Sequence, residues 1–359
     1  MRIALLTEIP APFRIPLFNA LAQRADLRVL FLARSDPRRS HYDLHQDEWR
    51  FDHRFLRGRE IHRGRWTVLN RGVLRDLREF APDAVAVGGW NQPAFWQALA
   101  YCKATRKPLL IWIESTARDA RSEALPLELA KRALVHGAAG AFVPGRASAE
   151  YARALGVPDE RIVVAPNAVD NSFFARNDRE AHEECRFLYV GRLDPEKGID
   201  VLLDAFELVR GELLIAGAGS EAERLRERGG SRVRFLGPVA RDETPALYGS
   251  ADVFVLPSRS EQWGMVLNEA AAAGLALVST DAAGAAYELT DDELRVPAGD
   301  VKALADALGR LAEDPAARAA SAERSRARVA ALTPEAWAEG VVELAMRAAG
   351  RTPRSADPR

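Results

Sequence analysis

The chain has 359 residues, of which 48% are hydrophobic and 28% are charged, and its formal net charge is −1. This length exceeds the roughly 250 to 300 residues at which a single hydrophobic core stops growing, so we expect two domains. The nearly balanced charge provides no overall attraction to nucleic acid, and we expect no nucleic-acid partner.

Cysteine content and hydropathy predict a cytoplasmic protein. The two cysteines, Cys102 and Cys185, lie far apart in the chain and form no Cys-x-x-Cys or Cys/His cluster, which argues against a disulfide framework and a zinc site. The chain begins with strand-like residues instead of a charged and apolar leader, and it has no run of about 18 apolar residues. Peripheral attachment at the inner face of a membrane is an alternative that remains open.

Alternating strand and helix patterns predict a Rossmann-like, doubly wound parallel sheet over residues 1–168. The segments RIALLT, RIPLFNALAQRA and LRVLFLA have the patterns of a strand, a helix and a strand from residue 2 onward. AVAVGG, NQPAFWQALAYCKATR and PLLIWIEST repeat this order, and AGAFVPG, SAEYARALG and RIVVAPN add further units. The first part of the chain is therefore predicted to be an α/β domain.

An arginine-rich region over residues 47–80 interrupts this alternation. Interleaved carboxylates favour a solvated, ion-paired face, and contact with phosphates or a membrane surface is the alternative. The arginines concerned are Arg50, Arg54, Arg57, Arg59, Arg63, Arg65, Arg71, Arg75 and Arg78.

A second α/β series follows a polar linker that we place at residues 169–184. Residues 185–332 again alternate strand and helix patterns, from RFLYVG to LALVST and on into helical segments. Two such domains in tandem enclose a cleft at the carboxyl ends of both sheets, where ligands bind in this class. Residues 333–350 form a predicted C-terminal helix that is a candidate for packing back toward the first domain, and residues 351–359 are predicted to be a disordered tail.

Two cations lie in a turn that follows the first strand of the second domain. Gly191 lets the backbone turn, and Arg192 and Lys197 come just before a helix whose amino end would face the cleft. Both side chains are suited to holding a diphosphate. An ordinary surface turn is the alternative explanation for these residues.

A pair of glutamates marks a second strand-to-helix junction in the segment SEQWGMVLNE, residues 260–269. The free N–H groups of a helix that begins near Gly264 or Met265 would form an anion site. Glu261 would lie in the loop and Glu269 in the second helical turn, where carboxylates can accept hydrogen bonds from sugar hydroxyls. Helix capping is the plain structural alternative, worth about 0.3 to 1 kcal/mol.

The two junctions together resemble the GT-B-fold retaining glycosyltransferases of family 4 (glycosyl transferases group 1). The resemblance rests on the segments VGRLDPEKGIDVLLDAF, LLIAGAGSEAERL, RVRFLGPV and LYGSADVFVLPSRSEQWGMVLNEAAAAGLALVST. It covers most of the second domain, and the E-x7-E spacing with an aromatic-glycine step inside it is its most specific feature.

This resemblance implies a donor site and its residue roles. Arg192 and Lys197 would bind the donor diphosphate, Glu261 the donor sugar and Glu269 the ribose hydroxyls. Arg192, Lys197 and Glu261 would carry the catalytic step. The donor-binding residues would be Gly191, Arg192, Lys197, Glu261, Gly264, Met265, Val266 and Glu269. The family resemblance also implies a UDP- or GDP-sugar donor, retention of anomeric configuration, and neither a bound metal nor a cofactor.

The first domain, on the acceptor side of the cleft in such enzymes, departs from the common family pattern. Prolines stiffen residues 8–14, where many relatives carry a glycine pair, and Glu114 with Ser115 stands where relatives often present a histidine. A carbohydrate or lipid-linked acceptor is implied. The candidate acceptor-side residues are Arg14, Trp90, Glu114 and Arg118, and local ion pairing or capping is the alternative for the charged ones.

Three other functions stay open at this point. A nucleotide-sugar epimerase of the same architecture would act on the donor without any acceptor. A non-catalytic sugar-nucleotide-binding protein would bind the donor without turnover. A dinucleotide dehydrogenase fits least, because no G-x-G-x-x-G follows the first strand.

Overall fold

The computed structural model describes residues 1–36, 46–63, 65–118, 125–175 and 182–351. In these ranges the first part of the chain contains nine strands: β1 (Arg2–Thr7), β2 (Asp26–Phe31), β3 (Asp52–Phe55), β4 (Arg57–Arg63), β5 (Arg65–Arg71), β6 (Ala84–Val87), β7 (Leu109–Trp112), β8 (Gly140–Val143) and β9 (Ile162–Val164). Its helices are α1 (Ile15–Arg24), α2 (Val73–Phe80), α3 (Pro93–Thr105), α4 (Leu125–Gly137) and α5 (Arg146–Ala154).

Seven of these strands form a parallel sheet in the order β3-β2-β1-β6-β7-β8-β9. Successive side chains of a strand point to opposite faces, and β1 illustrates this alternation. Ile3 and Leu5 pack into one hydrophobic core, and Ala4 and Leu6 pack into another on the opposite face. Since both faces are covered, the strands are almost continuously apolar, which is why their pattern predicted a parallel sheet.

The arginine-rich region folds into β3, an antiparallel hairpin of β4 and β5, and α2. Part of its charge is neutralised, because Arg54 forms ion pairs with Asp76 and Glu79. On the hairpin, Arg57 lies opposite Arg71, and both are exposed without an acidic partner among the described side chains. The ion-paired interpretation therefore holds for one part of the region, and contact with a membrane surface stays a prediction.

The hairpin, α2 and α4 were not predicted from the sequence patterns. The exposed residues Leu125, Leu127 and Leu129 of α4 follow a spacing of two, which gives no amphipathic helical signal. Among the described side chains of the hairpin, only Val68 and Asn70 are buried, so its strands lack the apolar alternation that predicts a half-buried strand.

The second part of the chain begins with a short helix, α6 (Asn171–Phe174), inside the predicted linker. Its strands are β10 (Arg186–Val190), β11 (Glu212–Ala216), β12 (Val233–Gly237), β13 (Val253–Leu256), β14 (Ala276–Thr280) and β15 (Arg295–Val296). Its helices are α7 (Ile199–Phe206), α8 (Ala222–Arg228), α9 (Thr244–Gly249), α10 (Met265–Ala272), α11 (Ala286–Leu289), α12 (Val301–Glu313), α13 (Pro315–Val329) and α14 (Pro334–Ala348). The strands form a second parallel sheet in the order β12-β11-β10-β13-β14-β15.

The last helix, α14, packs against the first sheet rather than the second. It contacts α1, β8 and β9, and its fully buried Trp337 lies in the core of the first sheet. The Trp337 ring is 5.2 Å from that of Trp112 and 6.1 Å from that of Phe18, measured between centroids. The chain thus crosses back to the first domain after α13, which packs on β14. Of the predicted tail, residues 352–359 lie outside the described residues.

Candidate active site

The two sheets face each other across a cavity of about 680 Å³ at the carboxyl ends of their strands. In each sheet the chain starts in the middle and later crosses to the other side, which creates a switch point between β1 and β6 and another between β10 and β13. Ligands of doubly wound sheets bind at such points. Another cavity, of about 620 Å³, lies at the start of β7, on the opposite edge of the first sheet.

The wall formed by the second domain begins with the turn after β10. Pro195–Lys197 forms a single 3₁₀ turn, and Gly198 follows it with a φ of +66°. A Cβ atom at Gly198 would lie 2.3 Å from the carbonyl oxygen of Pro257, so only glycine permits this close approach of the two loops. The turn consequently brings Lys197 beside the loop that follows β13.

Lys197 and Glu261 form an ion pair at the cavity wall, and their side chains are 14% and 19% exposed. Arg192 lies at the same wall, where its Nη2 is 2.6 Å from Glu196 Oε1 and its Nη1 pairs with Asp194. Burial lowers the pKa of Arg192, but the hydrogen bond to Glu196 and the nearby carboxylates outweigh this effect and raise it. Two fixed positive charges therefore lie within one turn.

Helix α10 starts directly after Gly264 and carries Glu269 in its second turn. Glu269 Oε2 accepts a hydrogen bond of 2.6 Å from the hydroxyl of the fully buried Tyr248. Burial raises the pKa of Glu269 above its usual value, although the Tyr248 hydrogen bond acts in the opposite direction. This carboxyl is therefore held in a different environment from Glu261, which has a lysine partner.

Behind these groups, the loop before α10 is fastened to the first domain. The indole Nε1 of Trp263 donates to Asn268 Oδ1 at 2.9 Å, and Asn268 Nδ2 donates to the backbone oxygen of Asn167 at 3.0 Å. Trp263 and Asn268 are both buried. The glutamate-bearing loop therefore has a defined position relative to the end of the first domain.

The wall formed by the first domain contains an ion pair between Arg14 and Glu114. Arg14 Nη1 donates to Thr7 Oγ1 at 3.0 Å, and Glu114 Oε1 accepts from Asn167 Nδ2 at 3.0 Å. The Arg14 guanidinium carbon also lies 4.5 Å from the ring centroid of Trp112. Arg14 and Glu114 are therefore paired within this wall, as the local ion-pair alternative expected, although the buried Nε of Arg14 has no hydrogen-bond partner among the described groups.

Other charged groups of this wall were not recognised from sequence. Glu8 follows β1, and Lys131 on α4 is only 3% exposed, yet both line the cavity. Lys131 Nζ donates to Glu128 Oε1 at 2.7 Å and to the Tyr151 hydroxyl at 2.9 Å. It also lies 5.3 Å from the ring centroid of Trp90. No local motif marks Lys131, because Glu128 lies on the same helix but the Tyr151 partner comes from α5.

Several side chains join the two domains, among them Arg118 and Gln262 at the cleft and Arg241, which pairs with Glu48. Arg118 Nη1 is 2.7 Å from Asp281 Oδ2, which follows β14 of the second domain. Gln262 Nε2 is 3.4 Å from Ser115 Oγ. Arg118 was predicted as an acceptor-side residue, but it lies outside the cavity lining and spans the two domains.

The predicted site residues divide into those that line the cavity and those that lie beside it. The described lining includes Arg14, Trp90, Glu114, Arg192, Lys197 and Glu261. Gly191, Gly264, Met265, Val266 and Glu269 belong to the same two junctions but not to this lining. The donor-side groups thus cluster as expected, and their roles remain proposals.

Two negative findings apply only to the part of the chain that the structure describes. In that part, no group of three or more His, Cys, Asp or Glu side chains is arranged to hold a metal ion. No described helix is both long and apolar enough to cross a membrane.

Two family models match the chain on either side of the linker. Residues 17–173 match the Glycosyltransferase Family 4 model, and residues 184–314 match the Glycosyl transferases group 1 model. The first match covers most of the first sheet, and the second covers the turn after β10, the E-x7-E segment and the strands around them.

Several characterised relatives match part of the chain. A phosphatidyl-myo-inositol mannosyltransferase of Mycobacterium leprae is 44% identical over 136 residues, 34% of this chain and 36% of the relative. A glycogen synthase of Mycobacterium tuberculosis is 34% identical over 183 residues, 47% of this chain and 44% of the relative. A D-inositol 3-phosphate glycosyltransferase of Corynebacterium urealyticum is 34% identical over 224 residues, 56% and 47% of the two chains. The matches span less than half the length of these relatives.

Solved structures share the fold over almost the whole chain. Anabaena HepE in complex with UDP superposes with a TM-score of 0.77 at 18% identity, covering 96% of this chain and 99% of HepE. Sucrose-phosphate synthase of Thermosynechococcus elongatus gives a TM-score of 0.74 at 21% identity, with coverages of 97% and 98%. The predicted GT-B fold is confirmed, and the chain contains a Glycosyltransferase Family 4 domain followed by a Glycosyl transferases group 1 domain.

Proposed function

We propose that the protein transfers a sugar from a nucleoside-diphosphate sugar to a hydroxyl of a carbohydrate or lipid-linked acceptor. The observation that carries this proposal is the position of Arg192, Lys197 and Glu261 on one wall of the cavity, at the switch point of the second sheet. The two family matches and the UDP bound in Anabaena HepE support it. A UDP- or GDP-sugar is the proposed donor.

The donor diphosphate would lie between the turn after β10 and the first turn of α10. Arg192 and Lys197 would supply positive charge, and the free N–H groups at Met265 and Val266 would supply hydrogen-bond donors at the positive end of the helix dipole. Phosphate oxygens would replace the carboxylate partners of both cations. Glu261, released from Lys197, could then accept hydrogen bonds from the donor sugar, and Glu269 from the ribose.

The reaction needs stabilisation of the charge that develops on the leaving group. The bond between the anomeric carbon and the β-phosphate oxygen breaks, and its electron pair stays on the nucleoside diphosphate. The acceptor oxygen forms the new bond to the anomeric carbon, and its proton goes to the departing diphosphate or to solvent. Lys197, Arg192 and the amino end of α10 would stabilise the departing charge without a metal ion. We propose retention of configuration because this family resemblance implies it.

Nucleotide binding by the wild type and Lys197→Ala tests the donor site directly. Calorimetric titration with UDP and with GDP should show one nucleotide binding to the wild type about 100-fold more tightly than to the variant, since a charged hydrogen-bond donor is lost. Lys302→Ala is the matched control, because Lys302 is 83% exposed on α12 and pairs only with Asp306 among the described residues. Equal affinity of wild type and Lys197→Ala would contradict the diphosphate role.

Product analysis then distinguishes the proposed transfer from the alternatives. Incubation with the nucleotide sugar that corresponds to the bound nucleotide should give free nucleoside diphosphate and a glycosylated acceptor. Conversion of the donor into its epimer without an acceptor would identify an epimerase instead. Tight binding without turnover over a broad acceptor panel would favour a non-catalytic binding protein.

A further inference from the structure

The end of β1 presents a carboxylate to the cavity that neither the sequence motifs nor the proposed donor site uses. Glu8 is half-buried and lies in the cavity lining opposite the donor-side residues Lys197 and Glu261. Its position at the switch point of the first sheet matches that of the turn after β10 in the second sheet.

Two amides hold this carboxylate in one orientation. Asn91 Nδ2 donates to Glu8 Oε1 at 2.7 Å, and Gln92 Nε2 donates to the same oxygen at 2.9 Å. Gln92 is completely buried and is itself fixed, since its Oε1 accepts from the backbone N–H of Val68 at 2.9 Å and its Nε2 contacts the Trp66 carbonyl oxygen at 3.2 Å. Both amides donate to Oε1, and no described residue donates a hydrogen bond to Oε2. Oε2 can therefore accept hydrogen bonds from a ligand.

Charge on this wall decides what kind of ligand Glu8 can bind. Of the charged residues that the first domain contributes to the described lining, Arg14 pairs with Glu114 and Lys131 pairs with Glu128. Glu8 is the one left without an ion-pair partner in that lining. The lining residues themselves sum to no net charge, but Lys131 is neutralised by Glu128 outside the lining, so the unpaired charge is the negative one on Glu8. A carboxylate in this position disfavours a phosphate or carboxylate beside it and suits a neutral group with hydroxyls.

The neighbours of Glu8 complete a surface for such a group. Trp90 lines the cavity next to Asn91 and offers apolar ring surface, as aromatic side chains commonly do for sugars. Lys131 Nζ has three protons, of which two are directed to Glu128 and Tyr151. A hydroxyl can both donate and accept, so it can use Glu8 Oε2 and the remaining Lys131 proton.

We infer that Glu8 is a substrate-binding residue that hydrogen-bonds the hydroxyls of a neutral, polyhydroxylated acceptor, with Trp90 and Lys131 beside it. This inference rests on the proposed sugar transfer and adds the acceptor class and its principal ligand. We expect an acceptor with a phosphate at the bound end to bind less tightly than a neutral one, because that phosphate would face the Glu8 carboxylate.

Glu8→Gln is the variant that tests the inference. Glutamine has nearly the same shape and keeps an oxygen for Asn91 and Gln92, but it places an NH₂ donor where Oε2 accepts. The probes are methyl α-D-glucopyranoside and methyl α-D-mannopyranoside as neutral polyols, and glucose 6-phosphate as the anionic counterpart. Their binding is measured by saturation-transfer NMR on the full chain with saturating UDP or GDP, whichever binds.

The wild type should bind a neutral glycoside more tightly than glucose 6-phosphate, and Glu8→Gln should weaken that binding at least tenfold, since a hydrogen bond to a charged group is lost. Nucleotide affinity should stay unchanged in the variant. Glu343→Gln, a change on the exposed face of α14, is the matched control.

Three results would overturn the inference: unchanged glycoside binding by Glu8→Gln, tighter binding of glucose 6-phosphate than of either glycoside, or binding of neither glycoside by the wild type. None of these three results contradicts the proposed donor site as long as UDP or GDP binds. Failure of the proposed function shows up separately, as the absence of UDP and GDP binding. A melting temperature equal to that of the wild type shows that Glu8→Gln is folded.

Discussion

The two walls of the cleft are built in different ways. The second domain places its site residues through short turns, where Arg192 and Lys197 are five positions apart and glycines allow the backbone of two loops to meet. The first domain places its groups through side-chain bonds between distant segments, such as the Arg14 to Glu114 pair, which spans 100 positions. One wall is encoded locally and the other by the tertiary fold.

This difference explains which wall carries a recognisable motif. A diphosphate requires backbone N–H groups and cations in a fixed local arrangement, which constrains neighbouring positions in the chain. An acceptor site needs only that suitable side chains meet in space, and different elements can provide them. We therefore expect the donor wall to be sensitive to backbone changes and the acceptor wall to changes of single functional groups.

The largest expected effect comes from a backbone change behind the donor wall. Gly217 has a φ of +139°, and a Cβ atom there would lie 1.8 Å from the carbonyl oxygen of Gly191. Gly217→Ala should therefore lower the free energy of unfolding by about 2 to 5 kcal/mol, from backbone strain and overpacking. Nucleotide affinity should fall with it, because Arg192 follows Gly191 directly. Urea unfolding and calorimetric titration measure the two effects.

Gly230→Ala is the control for this change. Gly230 lies after α8 and has no positive φ, and a Cβ atom there would point into open space, with no heavy atom beyond its chain neighbours within 4 Å. This variant should unfold at nearly the wild-type urea concentration and bind nucleotide normally. If Gly217→Ala behaved in the same way, the close contact between the loops after β10 and β11 would not be needed for the donor wall.

The same contrast separates what the sequence could predict from what it could not. The parallel sheets, the start of α10 near Met265 and the positions of Glu261 and Glu269 follow from patterns within about ten residues. Such patterns reflect local backbone geometry, which neighbouring residues in the chain largely determine.

The acceptor wall shows why the rest could not be predicted. Lys131 is held in part by Tyr151 of α5, and Glu8 is held in part by Gln92, which the hairpin fixes. Neither the hairpin nor α4 has a clear periodic pattern, so their side chains could not be placed. The partner of Arg118 could not be predicted for a related reason, since Asp281 belongs to the other domain.

A smaller effect should distinguish the two donor-side carboxyls. Burial raises the pKa of Glu269, so the folded state favours its protonated form more than the unfolded state does. The wild type therefore loses stability as the pH rises from the ordinary glutamate pKa through the raised one. Glu269→Gln should become more stable relative to the wild type over that rise, while its nucleotide affinity falls about tenfold through the lost ribose hydrogen bonds.

Urea unfolding at a series of pH values and nucleotide titration measure these opposite changes. Glu227→Gln serves as the control, because Glu227 is exposed on α8 and should show neither effect. The stability difference between Glu269→Gln and the wild type could instead be the same at every pH. That result would show that burial of this carboxyl does not make stability depend on pH. Unchanged nucleotide affinity would remove the ribose role but leave that of Lys197 standing.

The smallest expected effect concerns the ion pair that joins the two walls. Arg118 is half exposed, so its pair with Asp281 should contribute less than about 1 kcal/mol to stability, and Arg118→Ala should unfold almost like the wild type. Arg24→Ala, which breaks the exposed pair between α1 and α14, should cost a similar amount.

The two variants should differ in shape, because Arg118 spans the cleft and Arg24 does not. Small-angle scattering at low salt should give a larger radius of gyration for Arg118→Ala alone, and 1 M salt should remove the difference by screening the pair in the wild type. Equal radii at low salt would mean that this ion pair has no part in setting the position of the walls, and that other contacts between the domains, such as the packing of α14 and the Asn268 to Asn167 hydrogen bond, suffice.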